Sequence, residues 1–490
     1  GLFCLRNVVD LTETAPVLAL MIGLAVGIDY SLFITSRYRQ NLADGVDFET
    51  ATASAVERAG SSVVFAGATV IIALAGLSVV GIPFLTVMGL AAAATVFVAV
   101  LVAITLQPAL FGFAGRRLRP RPRPAVGRGA GSVAAGTDSV ALRWGRTTVR
   151  WRVPLILAGV AGLAVLSLPV LDLRLAVPST VGPVATRAAD LVEQHFGPGL
   201  NGHLVVVVAT GSAQATSRAV AQTTGLLQGT DGVLAVAPAQ LSQDQRTAVV
   251  TVIPKAGPED AATERLVHAI RARSRAVDDA TISVTGATAV AIDVSSKLND
   301  ALPVYLLVVV GLSLVLLAFV FRSILVPVKA TLGFLLTVGA AIGSTVAVFQ
   351  WGWLAGVVGV TDAGPLVSFL PILMVGILFG LSMDYEVFLV SRMREDYLAG
   401  DTARQATVNG MGHSMRVVTA AALIMVSVFG GFMFMDYQVI KTMGFALALG
   451  IAVDAFVVRL TIVPAVMSLL GDAAWWFPGQ RAGVRPARGD

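Results

Sequence analysis

The chain has 490 residues, 56% of them hydrophobic and 13% charged, with a formal net charge of +5. Soluble domains carry about 25% charged residues, so this composition, with a mean hydropathy of +0.80, excludes an ordinary soluble protein. The lone Cys4 excludes a disulfide framework, and no nucleophile–base arrangement, phosphate loop or metal-ligand spacing marks an enzyme or calls for a cofactor.

Apolar runs of about 20 residues, enough to cross a hydrocarbon core of roughly 30 Å, recur along the chain. They predict nine spans, near 16–36, 61–80, 84–113, 153–172, 301–321, 330–350, 367–391, 416–434 and 440–470. The first three form a partial repeat within 1–114. Residues 115–152 then read as a basic linker: the stretch 116–152 holds ten Arg against one acid, Asp138, in a Pro/Gly-rich context. Positive charge gathers on the cytosolic side of membrane proteins. Placing this linker there also puts Arg37, Arg58, Arg392, Arg404 and the tail 472–490 in the cytosol.

Within the linker, 139–151 mixes Val140, Leu142, Trp144 and Trp151 with Arg143, Arg146 and Arg150. Such a segment can lie on the inner leaflet and bind anionic membrane lipid; the plainer reading is a basic linker obeying the positive-inside rule.

The same topology leaves 173–300 outside the cytoplasmic membrane. Its eleven acids and ten bases give no basic face for nucleic acid. β-Branched runs at 204–208, 247–253 and 281–284 predict strands, and 213–227 and 259–277 predict helices, the second opening on Pro258, Glu259 and Asp260. The block is expected to be a small α+β domain. Spans at 301–471 follow it.

The most informative pattern is an internal repeat. GIDYSLFITSRYR at 27–39 recurs 355 residues later as SMDYEVFLVSRMR at 382–394, matching Asp29, Tyr30, Phe33, Ser36, Arg37 and Arg39 to Asp384, Tyr385, Phe388, Ser391, Arg392 and Arg394. The register continues from Met88 and Gly89 to Met443 and Gly444, and from Pro108 to Pro464. Five expected spans separate the two Asp-bearing helices, so both cross in the same direction. This is a parallel repeat about an axis along the membrane normal, as in some transporters. By symmetry, three further spans and a second outer domain are expected ahead of Gly1.

An Asp inside an apolar span costs roughly 2.5–3.5 kcal/mol on the insertion scale, and such residues face bundle interiors and mark ion pathways. Asp29, Tyr30, Asp384 and Tyr385 are therefore the candidate proton relay, each neighbouring Tyr able to hydrogen-bond a carboxyl group. A structural hydrogen bond between helices is the plainer reading for one buried Asp, and less apt for two matching pairs. Asp436-Tyr437 also occurs, in a short outer loop, and reads as incidental.

Secondary candidates are Ser31, Glu386, Asp454 and Arg459. Glu386 lies about 200° around a helix from Asp384, too far for a carboxylate dyad, and Ser31 takes its place in the first half. Asp454 and Arg459 are about 140° apart on an α-helix, each positioned to pair across helices, with Arg459 alternatively reaching toward the cytosol. His413 reads as a solvated helix-edge residue.

The paired GIDY and MDYE segments with their SRxR ends, and DAFVVRLTIVPA near the carboxyl end, resemble the MMPL family, the branch of the RND superfamily associated with export of mycobacterial-type lipids. The resemblance implies an RND-type transmembrane bundle of twelve spans with periplasmic porter domains. This chain would hold spans four to twelve and one α+β porter-like domain. It also implies proton coupling through the Asp-Tyr residues of spans four and ten, matching Asp29, Tyr30, Asp384 and Tyr385. Implied partners are protons, a lipid or other hydrophobic substrate, and cell-envelope or lipid-synthesis proteins. An RND-related accessory or sterol-sensing protein, and a non-transporting scaffold for lipid-synthesis enzymes, are the competing readings.

Overall fold

The structure is a computed structural model and describes residues 14–114, 140–177, 183–275, 277, 279–360, 363–435 and 437–476. The linker up to 139, Cys4, Asp436 and the tail from 477 lie outside these. The chain forms two compact units. One comprises Gly1–Asp172, Leu302–Asp362 and Leu370–Asp490, and the other Leu173–Ala301 with Ala363–Phe369.

The helical unit opens with α1 (Pro16–Ala43), α2 (Phe48–Val80) and α3 (Pro83–Phe113). α2 starts one residue after Asp47, whose side chain accepts a hydrogen bond from the Thr50 amide and caps the first turn. That bond holds the exposed Asp47 carboxyl below its ordinary pKa. Pro83 stands at the start of α3, where its missing N–H costs nothing. Next comes a shorter helix, α4 (Val140–Arg150). The sequence places these residues in the basic linker, either solvated or lying on the inner leaflet. They are ordered because Trp144 Nε1 donates to the Leu460 carbonyl at 2.8 Å and Gly145 sits directly on Val408 and Met411. α5 (Arg152–Asp172) follows.

The second unit is an α+β fold. Strands β1 (Leu175–Ala176), β2 (Leu204–Ala209), β3 (Val233–Val236), β4 (Gln240–Leu241), β5 (Thr247–Pro254) and β6 (Thr281–Thr285) alternate with helices α6 (Pro183–Phe196), α7 (Ala213–Gln228) and α8 (Ala261–Ser274). The main sheet runs β3-β5-β2-β6, with β4 also on β5. All its pairings are antiparallel, with Val206 facing Val250 on one side and Val284 on the other. Burial alternates strictly along β2 and β5, as a half-buried sheet demands. The inward residues meet Leu227 of α7 and Leu266, Val267 and Ile270 of α8 in one core.

Helix α9 (Ala287–Phe321) carries the chain back into the helical unit, which ends with α10 (Leu325–Gln350), α11 (Leu370–Leu398), α12 (Ala403–Phe434) and α13 (Gln438–Trp475). The span expected from 367 starts at Leu370, because β7 (Leu366–Val367) pairs in parallel with β1. Among the described residues, nine helices (α1–α3, α5 and α9–α13) are long and apolar enough to cross a membrane. Their burial is uneven: 89% of the apolar window of α11 is enclosed by protein, against 11% for α5. α11 is the central helix and α5 a peripheral one.

The repeat is visible in the packing. α11 packs on α2 and on α12, and α1 packs on α3 and on α12. A side chain at Gly89 would strike the Leu74 carbonyl, and one at Gly444 would lie 2.7 Å from the Phe429 carbonyl. Both contacts are related by the same 355-residue offset as the duplicated motif, so both halves make one close helix crossing with one glycine.

Candidate functional site

The duplicated segment falls on α1 and α11, and its four polar residues meet inside the bundle. Asp29, Tyr30, Asp384 and Tyr385 are 2%, 1%, 8% and 4% exposed. The pairing is crossed. Tyr30 donates to Asp384 Oδ2 at 3.2 Å, and Tyr385 donates to Asp29 Oδ1. Adjacent residues on a helix point about 100° apart, so neither Tyr serves the Asp beside it; each reaches the equivalent Asp on the other helix.

Small residues make this reach possible. A side chain at Gly67 of α2 would overlap Val100 and touch the Tyr30 ring, and one at Gly380 of α11 would lie 2.7 Å from Val70. The repeat contributes a second symmetric contact one turn on: Phe33 meets Phe388 edge to face at 5.0 Å and tilts against Tyr385 at 5.6 Å. One oxygen of each carboxyl group, Asp29 Oδ2 and Asp384 Oδ1, has no hydrogen-bond partner among the described residues.

A second cluster lies against the first. Arg459, 1% exposed, places Nε 2.5 Å from Asp454 Oδ2. Its Nη2 donates to the Ser382 carbonyl and, at 2.8 Å, to Ser382 Oγ. Ser382 Oγ in turn donates to Asp454 Oδ1 at 3.1 Å, and Thr337 approaches the same oxygen at 3.4 Å. The guanidinium sits 5.0 Å from the centre of the Tyr385 ring, so the two clusters are continuous through Tyr385.

Both residues do reach across helices, Arg459 and Asp454 to Ser382 of α11 and Asp454 also to Thr337 of α10. Of the alternatives for Arg459, extension toward an aqueous edge is not the one found, since it is buried. What the helical wheel does not show is that the two also pair with each other on one helix. Residues 453–462 form a π-helix, whose i→i+5 turn brings residues five apart onto one face; an α-helical wheel separates them.

Glu386 stays apart from both Asp residues. It pairs with Lys329 of α10, with side chains 5% and 8% exposed respectively. Ser31 contributes its backbone carbonyl, which accepts from Gln107 Nε2 at 2.7 Å; the same nitrogen donates to Thr35 Oγ1 at 2.7 Å. His413 is exposed on α12. Lys329, Gln107, Ser382 and Thr337 are polar residues of these clusters that sequence reasoning missed. Lys329, one of four lysines in the chain, lay one residue outside the expected span, and Gln107 was the polar signal inside the third.

The duplicated buried acids on a helical repeat, together with the α+β unit, define a polytopic α-helical membrane protein of RND-type fold. The chain belongs to the MMPL family, whose model matches residues 2–155 and 179–488. It is 45% identical over 480 residues to membrane protein YdfJ of Bacillus subtilis, covering 96% of this chain and 65% of YdfJ. It is 34% identical over 473 residues to the mycolic acid-containing lipids exporter MmpL11 of Mycolicibacterium smegmatis, covering 94% of this chain and 49% of that one. In fold it matches SecDF, a translocon-associated membrane protein of Thermus thermophilus, with a TM-score of 0.54 at 14% identity over 92% of this chain and 54% of SecDF. The chain thus spans about half to two thirds of the curated relatives it matches.

Proposed function

We propose that this chain is the proton-coupling portion of an exporter that moves lipids or other hydrophobic molecules across the cytoplasmic membrane. The observation that carries the reading is the crossed exchange of hydroxyl donors between two buried Asp residues on equivalent helices. A carboxylate accepts only, whereas a carboxylic acid also donates. Protonation of Asp29 or Asp384 therefore changes which hydrogen bonds link α1 and α11, and a proton arriving at one alters the fit between the two repeats. The oxygens left unpartnered, Asp29 Oδ2 and Asp384 Oδ1, are where the proton would be taken up.

A cavity of about 10 Å³ lined by Ser382, Tyr385 and Asp454 is the size of one water molecule. It supports a hydrated step between the two clusters. In this reading Arg459 is a fixed positive charge behind Tyr385 that Asp454 holds in place. The basic stretch around 116–152 faces the cytosol and 173–300 the outside. Inward proton movement, assisted by about 2.3 kcal/mol per charge per 100 mV of membrane potential, drives rocking of one helix repeat against the other. The lipid class is supported by the name of the MmpL11 relative.

The test is proton uptake and lipid transport in vesicles containing the protein, with Asp29→Asn and Asp384→Asn. Both variants should stay in the membrane and lose both activities. Undiminished proton flux in both variants would sink the relay; Asp-dependent flux in the unaltered protein without lipid movement would leave the relay and remove the export.

A further inference from the structure

A basic groove lies away from the buried acids, where α4, the start of α5 and the first turn of α12 meet. Its volume is about 510 Å³, and Arg146, Arg150, Arg152 and Arg404 all contribute to its lining. No acidic side chain is among the described residues that line it. Arg152 also donates to the Ser468 carbonyl at 3.4 Å, which ties it to α13.

The walls are fixed by packing. Leu142 of α4 lies where a side chain at Gly412 of α12 would be, Gly145 rests on Val408, and Trp144 is tied to the Leu460 carbonyl. The apolar side of α4 is thereby spent on α12 and α13, and its basic side is left for the groove. Arg150, Arg152 and Arg404 line one concavity with no acid among its described residues, and the planar forks of guanidinium groups match phosphate oxygens in pairs.

Val153 in the groove wall belongs to a run of exposed apolar residues. Trp151, Val153 and Leu157 are 55%, 46% and 64% exposed, and they continue along α5, the least enclosed of the spans. A free phosphate has no use for that surface, whereas a phospholipid would place acyl chains along α5 and its headgroup among the arginines. Trp151 at the junction suits the membrane interface.

We infer that this groove binds the headgroup of an anionic phospholipid, held by Arg150, Arg152 and Arg404 with its tails along α5. The inference does not rest on proton coupling at Asp29 and Asp384. The test is native mass spectrometry of the full chain in detergent, titrated with phosphatidylglycerol, phosphatidylcholine or inorganic phosphate. One phosphatidylglycerol should bind in preference to phosphatidylcholine, and millimolar phosphate should not displace it. The variant Arg150→Gln/Arg404→Gln should bind it about tenfold more weakly. Arg143→Gln, which removes a charge from the same helix outside the groove, should leave binding unchanged. Equal binding of the two lipids by the unaltered chain would overturn the site even if the double variant does not fold. So would unchanged binding by the folded double variant. Displacement by phosphate would make the groove an anion site and overturn its assignment to lipid.

Discussion

The Tyr30 hydroxyl donates to Asp384 across helices whose contacting residues are 354 positions apart in the chain, and Tyr385 returns the bond to Asp29. Each repeat therefore completes the polar site of the other. A buried hydrogen bond to a charged group is worth about 1.5–3 kcal/mol, and contacting partners couple in double-mutant cycles. Asp29→Ala and Tyr385→Phe should couple by an amount in that range when thermal unfolding is followed in detergent. Asp29→Ala with Tyr30→Phe should couple less, since those two share no bond. Equal coupling in the two cycles would contradict the crossed arrangement.

The Lys329–Glu386 pair yields a prediction of different form. Both side chains are almost wholly enclosed, so removing one partner strands a charge, at a cost of about 3–5 kcal/mol, while replacing both with apolar groups is often neutral. Lys329→Met should lower the melting temperature and membrane yield sharply. Lys329→Met/Glu386→Leu should recover most of the loss. If the double variant were as unstable as the single one, the ion pair would have a role beyond mutual neutralisation.

These two pairs mark what the sequence discloses. Asp29, Tyr30, Asp384 and Tyr385 stand out because polar residues in apolar runs are conspicuous and the repeat doubles the signal. Their crossing is invisible, since which helix face meets which partner is a tertiary property. The Asp454–Arg459 contact is hidden for another reason: an α-helical wheel assumes 3.6 residues per turn, and the π segment 453–462 departs from it. Strands β2, β5 and β6 declare themselves through β-branched alternation. β1 and β7, at two residues each, are too short to show a period, and they form only because chain segments 191 residues apart happen to lie side by side.

The matched glycines allow the repeat to be tested by packing alone. An added methyl group at Gly89 meets the Leu74 carbonyl and at Gly444 the Phe429 carbonyl, and overpacking of this kind costs roughly 1–3 kcal/mol. Gly89→Ala and Gly444→Ala should each lower thermal stability by similar amounts. Gly112→Ala is the control on the same helix as Gly89: nothing lies within 4 Å of the added atom, and alanine is the better helix former. It should be neutral to slightly stabilising. A large difference between the effects at Gly89 and Gly444 would mean that the two crossings are not equivalent.

Arg459 separates structure from coupling. Its guanidinium engages Asp454 through Nε and Ser382 through Nη2, a fork that a lysine ammonium does not reproduce. Arg459→Lys should therefore be destabilised although it keeps the charge, and Arg459→Met, which leaves Asp454 buried and unpaired, should cost about 3–5 kcal/mol. Asp454→Leu/Arg459→Met removes both charges and should regain most of that stability. Proton flux is the discriminating readout. With the positive charge behind Tyr385 gone, the double variant should fold and still fail to take up protons at the wild-type rate. A double variant that folds and carries normal flux would confine Arg459 and Asp454 to holding α13 against α11, and the proposed coupling site would shrink to the four residues of the duplicated motif.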